Sequence, residues 1–187
     1  AFDVFGALFP GGSITGAPKL ASLRAIAELE GAGRGFFTGA AGYVGSVCAE
    51  VLIKRGHAIV ALDNLSEGHR AAVPREAILV ECDLGDRQAL DHVFRCHPVS
   101  AVMHFAALCE VERSVREPGA FYVANVAHGI HLLEAMARYG VKKLIFSSTA
   151  AVYGEPETVP IPEEHRTSPV NPYGASKLFF ERLLEGF

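Results

Sequence analysis

Residues 35–45 read GFFTGAAGYVG, a short apolar run that leads into three evenly spaced glycines. The run predicts a β-strand, and residues 45–55 predict an amphipathic helix. Between these elements, Gly39, Gly42 and Gly45 permit a tight turn and let a pyrophosphate approach the backbone at the helix N-terminus. The pattern therefore predicts a phosphate-binding turn, although an ordinary glycine-rich turn has the same spacing.

Outward from this turn, short apolar runs alternate with amphipathic stretches, which is typical of βαβ units and a parallel sheet. Gly56 is expected to follow the end of the first helix, Asp86 to cap a second, and Pro118 to open a long helix that reaches Tyr139. The sequence therefore predicts an α/β fold, with further strands at residues 57–63, 77–81, 101–107 and 141–148, a proline-rich loop at 155–172 and a last helix from about Pro172.

The second strand ends in an acidic residue, Asp63, 18 residues after Gly45. A carboxylate at this distance from the glycines is placed to accept hydrogen bonds from the ribose hydroxyls of an adenosine. It would also repel a 2′-phosphate, so the pattern favours NAD over NADP. A solvated turn residue is the alternative interpretation.

Tyr173 and Lys177 form a Y-x-x-x-K pair, whose side chains share one face of a helix. A tyrosine with a pKa near 10 is a poor base, and lowering that pKa by about three units requires roughly 4 kcal/mol of preferential phenolate stabilisation. We expect the Lys177 ammonium to supply much of it. A hydroxyl cluster ends the fifth predicted strand, at Ser147, Ser148 and Thr149, and should converge with this pair beside a nicotinamide.

Composition limits the remaining classes of function. The chain has 187 residues, half of them hydrophobic and 20% charged, with a formal net charge of −4. Neither nucleic acid nor a membrane is implied as a partner, and no apolar run is long enough to cross a bilayer. We expect a cytoplasmic protein with free thiols at Cys48, Cys82, Cys96 and Cys109.

Two groups of potential metal ligands are interpreted without a metal. His128 and His131 lie three apart on the long predicted helix, and Asp91, His92 and Cys96 can share a face of another. Because no converging ligands are evident, no metal is predicted, and the histidines are interpreted as ordinary surface or packing residues.

A set of longer stretches occurs together between residues 35 and 187: TGAAGYVGS, ALDNLSEGHR, VMHFAAL, FYVANVAHGIHLLEAMARYGVKKLIFSSTAAVYGEP and NPYGASKLFFERLL. In this order they resemble UDP-glucose 4-epimerases, which are extended short-chain dehydrogenases/reductases of the NAD-dependent epimerase/dehydratase family. The resemblance implies a Rossmann-like, doubly wound parallel sheet of strand order 3-2-1-4-5 followed by later strands, a tightly held NAD, a UDP-sugar substrate and a homodimer in the full-length enzyme.

The same resemblance implies roles for individual residues. Tyr173 would take the proton from the sugar 4-hydroxyl while hydride passes to NAD, Thr149 would hydrogen-bond that oxygen, and Lys177 would hold the ribose and tune the tyrosine. The other implied cofactor contacts are Gly39, Gly42, Tyr43 and Val44 at the pyrophosphate, Asp63 and Asn64 at the ribose, Asp83 and Leu84 at the adenine, Phe105, Ala106 and Ala107 after the fourth strand, and Asn125 near the nicotinamide; Gly45 and Ser147 are included as parts of the turn and the hydroxyl cluster.

The chain departs from its family in several places. Related dehydratases carry an acidic pair after the hydroxyl that matches Thr149, where this chain has Ala150 and Ala151, so dehydration is not expected. Cys109 stands where many of the epimerases have lysine, and Ala40 replaces a common glycine. Another NAD-dependent nucleotide-sugar epimerase, dehydrogenase or decarboxylase, or a non-catalytic dinucleotide-binding fragment, remains as an alternative.

Residues 1–34 do not follow the βαβ pattern. PGGSITGAPK, a helical segment ending in AELE and then GRG resemble chorismate-utilising enzymes such as aminodeoxychorismate and anthranilate synthases. We interpret residues 1–34 as a foreign loop and helix rather than an independent domain, joined near residues 38–43 to a partial NAD-binding domain at 35–187. Both ends of the chain resemble the edges of a fragment, and the borrowed first strand, with Phe36 and Phe37 as its large apolar residues, is expected to be weak.

Overall fold

A computed structural model describes residues 34–187 of the chain, so the loop and helix expected for residues 1–33 lie outside the described residues. The described residues contain one sheet of five parallel strands in the order β3-β2-β1-β4-β5, which confirms the expected order. The strands are β1 (Arg34–Thr38), β2 (Ile59–Asp63), β3 (Ile78–Glu81), β4 (Val99–His104) and β5 (Leu144–Phe146).

Helices connect β1 to β2, β3 to β4 and β4 to β5 and cover the sheet, as is usual for parallel strands, whereas only a 3₁₀ turn lies between β2 and β3. The α-helices are α1 (Tyr43–Lys54), α2 (Arg87–Cys96), α3 (Val111–Arg116), α4 (Pro118–Tyr122), α5 (His128–Arg138) and α6 (Pro172–Leu184). A π-helical turn at Val123–Ala127 joins α4 to α5, and short 3₁₀ turns lie at Arg70–Ala72 and Ala150–Tyr153.

The central strand β1 carries the core on both of its faces. Phe36 and Phe37 point to opposite sides because side chains alternate along a strand, and both are fully buried. Phe36 packs 5.1 Å from the ring of Phe94 in one core cluster, and Phe37 packs 6.0 Å from Phe105 in the other. Two large aromatic residues thus fill the centre of the fold, while the expected weakness of this strand stays a prediction.

Several helix boundaries agree with local signals in the amino-acid sequence. The Asp86 carboxylate accepts hydrogen bonds from the backbone of Gln88 and Ala89, both at 3.0 Å, and so caps α2 as expected. Gly56 and Gly140 follow α1 and α5 with φ of 89° and 70°, the left-handed conformation in which glycine is favoured.

Other boundaries differ from the sequence-based predictions. The fifth strand is shorter at both ends than residues 141–148, and just after it the Ser147 carbonyl accepts a hydrogen bond from the Lys177 ammonium at 2.8 Å. The predicted long helix contains the π-helical turn, and α3 was not predicted, because its six residues are too few for a periodic pattern.

The cysteines and the character of the helices can also be compared with the expectations from the sequence. All four cysteines are free, with Cys48 and Cys82 buried and Cys96 and Cys109 exposed. Phe180 is fully buried, whereas Phe179 is exposed. Within residues 34–187, none of the helices has the length and apolar character needed to cross a membrane.

Candidate functional site

A cleft of about 700 Å³ crosses the carboxyl edge of the sheet, a size typical of small-molecule sites. It runs from the residues after β3 to those after β5, which are the two outer strands. Of the predicted site residues, the cleft is lined by Gly39, Gly42, Tyr43, Val44, Gly45, Asp63, Asn64, Asp83, Leu84, Phe105, Ala106, Ala107, Ser147, Thr149, Tyr173 and Lys177.

The three glycines of the turn are required for different reasons. Gly39 has φ 70°, and a Cβ there would lie 2.5 Å from the Ala106 nitrogen. A Cβ on Gly45 would lie 2.2 Å from the Gly39 carbonyl oxygen, so the helix could not pack against the turn. A Cβ on Gly42 would meet only that same oxygen, at an ordinary 3.5 Å. Gly39 and Gly45 are therefore needed for the backbone conformation and close packing of the turn, while Gly42 leaves space in the cleft.

The N-terminus of α1 opens into this space. Its N-cap, Gly42, provides no side-chain hydrogen bond to the first turn, and the first-turn residues Tyr43, Val44 and Gly45 line the cleft. Backbone N–H groups at the start of a helix attract anions, since they combine free donors with the positive end of the helix dipole. The turn can therefore hold a phosphate or pyrophosphate.

Asp63 joins the second strand to the glycine-rich turn. Its carboxylate accepts the Ala41 backbone N–H at 2.8 Å and the Leu65 backbone N–H at 2.8 Å. The residue is buried but lines the cleft. An ionised carboxylate has about four acceptor positions, so Asp63 can still accept hydrogen bonds from a bound hydroxyl.

A second carboxylate, Asp83, lies after β3 in a connected polar group. It accepts hydrogen bonds from the Asn64 amide at 2.6 Å and the Gly85 backbone N–H at 2.6 Å, and it lies 3.2 Å from Nδ1 of His128. Burial opposes ionisation of Asp83, but these three neighbours outweigh it and lower its pKa. The carboxylate is therefore held charged at the edge of the cleft.

His128 was not among the predicted site residues. The sequence indicated an ordinary surface or packing residue, and in the structure His128 lines the cleft beside Asp83. Its ring stacks 5.8 Å from that of His131, which faces the Leu84 carbonyl at 3.2 Å. Among residues 34–187, no three His, Cys, Asp or Glu side chains lie close enough together to hold a metal.

At the opposite edge of the sheet, Lys177 is almost completely buried, with 3% of its surface exposed. Its ammonium donates to the Ser147 carbonyl at 2.8 Å and lies 4.6 Å from the centre of the Phe146 ring. Loss of hydration disfavours the charged form and lowers the pKa of Lys177 to about 8. This lysine can therefore change its charge near neutral pH.

Tyr173 lies one helical turn before Lys177 and lines the same end of the cleft. Burial raises its pKa above the usual value, while its interaction with the Thr149 hydroxyl acts in the opposite direction and nearby Cys109 raises it further. The pKa of Tyr173 is therefore raised, whereas the Tyr–Lys spacing predicted that it would be lowered. The reason is that desolvation dominates and the Lys177 ammonium is directed at the Ser147 carbonyl.

Asn125 is the one predicted site residue that does not line the cleft. Its side chain is 2% exposed, accepts the Leu108 backbone N–H at 2.8 Å and donates to the Leu108 carbonyl and to the Ser176 hydroxyl, both at 3.0 Å. It lies in the π-helical turn and fixes the segment after β4, which does line the cleft. Proximity of Asn125 to a nicotinamide stays a prediction.

A further buried group was not identified from the sequence. His104, at the end of β4, pairs with the Thr38 hydroxyl at 2.6 Å through Nδ1, while its buried Nε2 has no hydrogen-bond partner within residues 34–187. Burial, with a smaller contribution from the Lys177 charge, lowers the pKa of His104 to about 3. A histidine inside an apolar strand gives no periodic signal that would mark it.

Comparison with known proteins gives two family matches. Residues 36–187 match the NAD dependent epimerase/dehydratase family, and residues 1–55 match the chorismate binding enzyme family. The two matches overlap over most of β1 and all of α1, around the patch where the sequence indicated a join.

Individual relatives agree with the first match. The chain is 50% identical over 147 residues to the UDP-glucose 4-epimerase of Azospirillum brasilense, covering 79% of this chain and 42% of the relative. With the enzyme of Streptomyces lividans the identity is 48% over 155 residues, covering 82% and 47%. The chain therefore spans less than half the length of these relatives.

Solved structures give the same result. A UDP-glucose 4-epimerase from Brucella ovis in complex with NAD superposes with a TM-score of 0.80 at 39% identity, covering 83% of this chain and 47% of that one. The enzyme from Thermotoga maritima with UDP-glucose gives 0.79 at 38% identity, covering 82% and 50%. With a family match over 152 residues, the expected sheet order and the cleft at its carboxyl edge, the chain belongs to the NAD dependent epimerase/dehydratase family.

Proposed function

We propose that this chain is the NAD-binding part of an enzyme that interconverts UDP-glucose and UDP-galactose through transient oxidation at C4 of the sugar. The observation that carries the proposal is that a phosphate-binding turn and a Tyr–Lys–Thr group line one continuous cleft. A ligand with a pyrophosphate in its centre and reactive chemistry at one end matches this arrangement. The names of the relatives support NAD and a UDP-sugar as the ligands.

The residues present fit an NAD molecule. The free first turn of α1 suits the pyrophosphate, and the open side of Gly42 leaves room for it. Asp63 accepts the adenosine ribose hydroxyls and, being negatively charged, disfavours a 2′-phosphate. Asn64, Leu84, Phe105, Ala106 and Ala107 complete the walls.

At the other end, Tyr173 is the group that exchanges a proton with the sugar 4-hydroxyl, and bound NAD supplies the hydride acceptor. Thr149 orients the same sugar oxygen, and Lys177 holds the nicotinamide-side ribose. Because burial raises the pKa of Tyr173, the phenol is protonated at neutral pH unless positive charge lies beside it. An oxidised nicotinamide carries such a charge.

Epimerisation is favoured over elimination by the residues beside Thr149. Elimination of water requires its own acid and base near the reacting carbons, and the cleft lining after Thr149 is Ala150 and Ala151. Another NAD-dependent nucleotide-sugar epimerase or a decarboxylase would use the same cofactor site, and the sugar specificity rests on the similarity to the named relatives.

We propose that the chain as given binds NAD without turning over sugar, since it spans less than half of its relatives. Calorimetric titration of the 187-residue chain with NAD is expected to give one site per chain. An assay with UDP-galactose and NAD is expected to give no product. A folded chain that does not bind NAD would refute the cofactor assignment, and turnover at a normal rate would refute the proposed lack of activity.

We further propose that residues 1–34 are a segment related to chorismate enzymes and not an independent domain, joined to a partial NAD-binding domain at 35–187. The overlap of the two family matches at residues 36–55 supports this division. Such a join near residues 38–43 would make the chain a chimera or the product of a misassembled gene. Sequencing the gene directly from source DNA tests this, since an uninterrupted native reading frame with the same N-terminus would contradict it.

A further inference from the structure

One histidine at the adenosine end of the cleft has contacts that the proposed function does not use. His128 is the first residue of α5, directly after the π-helical turn, and its side chain is partly buried. Its Nδ1 lies 3.2 Å from Oδ1 of Asp83, and both residues line the cleft after β3.

The contact favours one form of the imidazole. An ionised carboxylate only accepts hydrogen bonds, so a contact of 3.2 Å with Asp83 is attractive when Nδ1 carries a proton. The other carboxylate oxygen, Oδ2, accepts a hydrogen bond from the Asn64 amide at 2.6 Å, and Oδ1 accepts one from the Gly85 backbone N–H at 2.6 Å. These two hydrogen bonds and the imidazole contact thus hold Asp83 in one orientation, and the carboxylate keeps acceptor positions for a ligand.

The local backbone is shaped around this imidazole. A Cβ on Gly85 would lie 2.8 Å from the His128 ring, so glycine is needed there for the ring to reach Asp83. On the other side the ring stacks with His131, which is itself directed to the Leu84 carbonyl at 3.2 Å. The position of His128 is therefore fixed from two sides.

We propose that His128 is a positioning residue that aims Asp83 at the exocyclic amine of the base, so that the site selects adenine over a 6-oxopurine. This rests on the proposed binding of NAD in the cleft. An amine at position 6 donates to a remaining acceptor position of Asp83, whereas a 6-oxo group is itself an acceptor and faces a fixed negative charge. A site built around such an acceptor rejects the wrong base because the carboxylate is left without a donor.

Nicotinamide hypoxanthine dinucleotide is the matched probe, since it differs from NAD at position 6 of the purine. Calorimetric titration of the 187-residue chain is expected to show at least a tenfold tighter Kd for NAD than for this analogue. In His128→Leu the preference is expected to fall to about threefold or less, because Asp83 loses one of the donors that orient it.

Two further variants separate this role from general packing. His128→Asn retains an N–H donor near the position of Nδ1 and is expected to restore the preference to within about twofold of the unaltered chain. His131→Leu removes a neighbouring imidazole that does not contact Asp83, and it is expected to change both affinities by the same factor and leave their ratio intact. Thermal unfolding of each variant confirms that the proteins compared are folded.

The outcomes distinguish this inference from the function on which it rests. An unaltered chain that binds neither dinucleotide overturns both. Binding of NAD with no preference over the analogue, or a preference that His128→Leu leaves unchanged while Asp83→Asn removes it, overturns the role of His128 alone. A ratio lost in His128→Leu and recovered in His128→Asn supports it.

Discussion

The two ends of the cleft are built on different physical principles. The end proposed to bind adenosine and pyrophosphate, called here the adenosine and phosphate end, consists of backbone N–H groups and two carboxylates, Asp63 and Asp83, fixed by short hydrogen bonds. The Tyr173 and Lys177 end consists of buried ionisable side chains whose pKa values are moved by loss of water. Steric fit and hydrogen bonding therefore control the first end, and desolvation controls the second, so the two should respond to different perturbations.

The largest expected effect concerns close packing in the turn. Gly45→Ala places a methyl group against the Gly39 carbonyl, where a Cβ would lie 2.2 Å away, and is expected to cost on the order of 3 kcal/mol of unfolding free energy. Gly42→Ala is the control, since its Cβ meets that oxygen at 3.5 Å and should cost less than about 1 kcal/mol. Urea unfolding measures both, and equal losses would contradict the separate roles given to these glycines.

Acid titration is expected to reveal the buried end of the cleft. The pKa of His104 falls from 6.5 to about 3 on burial. Between these pH values His104 is protonated in the unfolded chain and neutral in the native chain. The stability that results is present above pH 6.5 and is lost as the pH falls towards 3. Between pH 6.5 and 4.5 the loss from this residue should be about 2 kcal/mol.

The matched variant for this prediction is His104→Asn, which keeps a polar group for the Thr38 hydroxyl but does not titrate. It is expected to be less stable at pH 7, because it leaves a cavity, yet to lose less stability than the unaltered chain between pH 6.5 and 4.5. Parallel acid profiles for the two proteins would show that His104 is not buried in its neutral form.

Removing one charge at the adenosine end should act on ligand binding. Asp63→Asn replaces one acceptor oxygen by an amide that cannot accept the Ala41 or Leu65 N–H. NAD affinity is expected to fall about tenfold, or about 1.4 kcal/mol. The ratio of the Kd for NADP to the Kd for NAD should also decrease in this variant. Competitive titration measures the two affinities. An unchanged ratio would argue against the proposed repulsion of the 2′-phosphate.

The smallest effect concerns Lys177 in alkali. Its pKa is lowered from 10.5 to about 8, so between these values the unfolded chain holds more protons and stability rises with pH through this residue. Relative to Lys177→Met, the unaltered chain should gain about 1 kcal/mol between pH 8 and 9. The comparison cancels the buried thiols of Cys48 and Cys82, whose raised pKa values act in the opposite direction.

The adenosine and phosphate end could be predicted largely from the sequence. The spacing of the glycines, the acidic end of the second strand and the capping role of Asp86 depend on residues close in the chain, and the strand order followed from the family resemblance. Gly39, Asp63 and Asp83, which were predicted from the sequence as cofactor contacts, all line the cleft, and their contacts with a cofactor stay a prediction.

The buried end was harder to predict, because its properties depend on the folded chain. The direction of the Tyr173 pKa shift is set by burial, and the Lys177 ammonium is directed to the Ser147 carbonyl after β5 rather than to the phenol. His104 and His128 gain their surroundings from residues far away in the chain, such as Thr38 and Asp83, which lie at other strand ends. Helix α3 was too short to produce a pattern.

A dinucleotide held by the glycine-rich turn is proposed to reach Tyr173 at the far edge of the sheet. The most direct test measures the pKa of Tyr173 by nuclear magnetic resonance in protein labelled at the tyrosine Cζ, with and without NAD, and uses Tyr173→Phe to assign the signal. Bound NAD is expected to lower this pKa below its value in the free chain, because positive charge then lies beside the phenol. Saturation with NAD that leaves the Tyr173 pKa unchanged would contradict it.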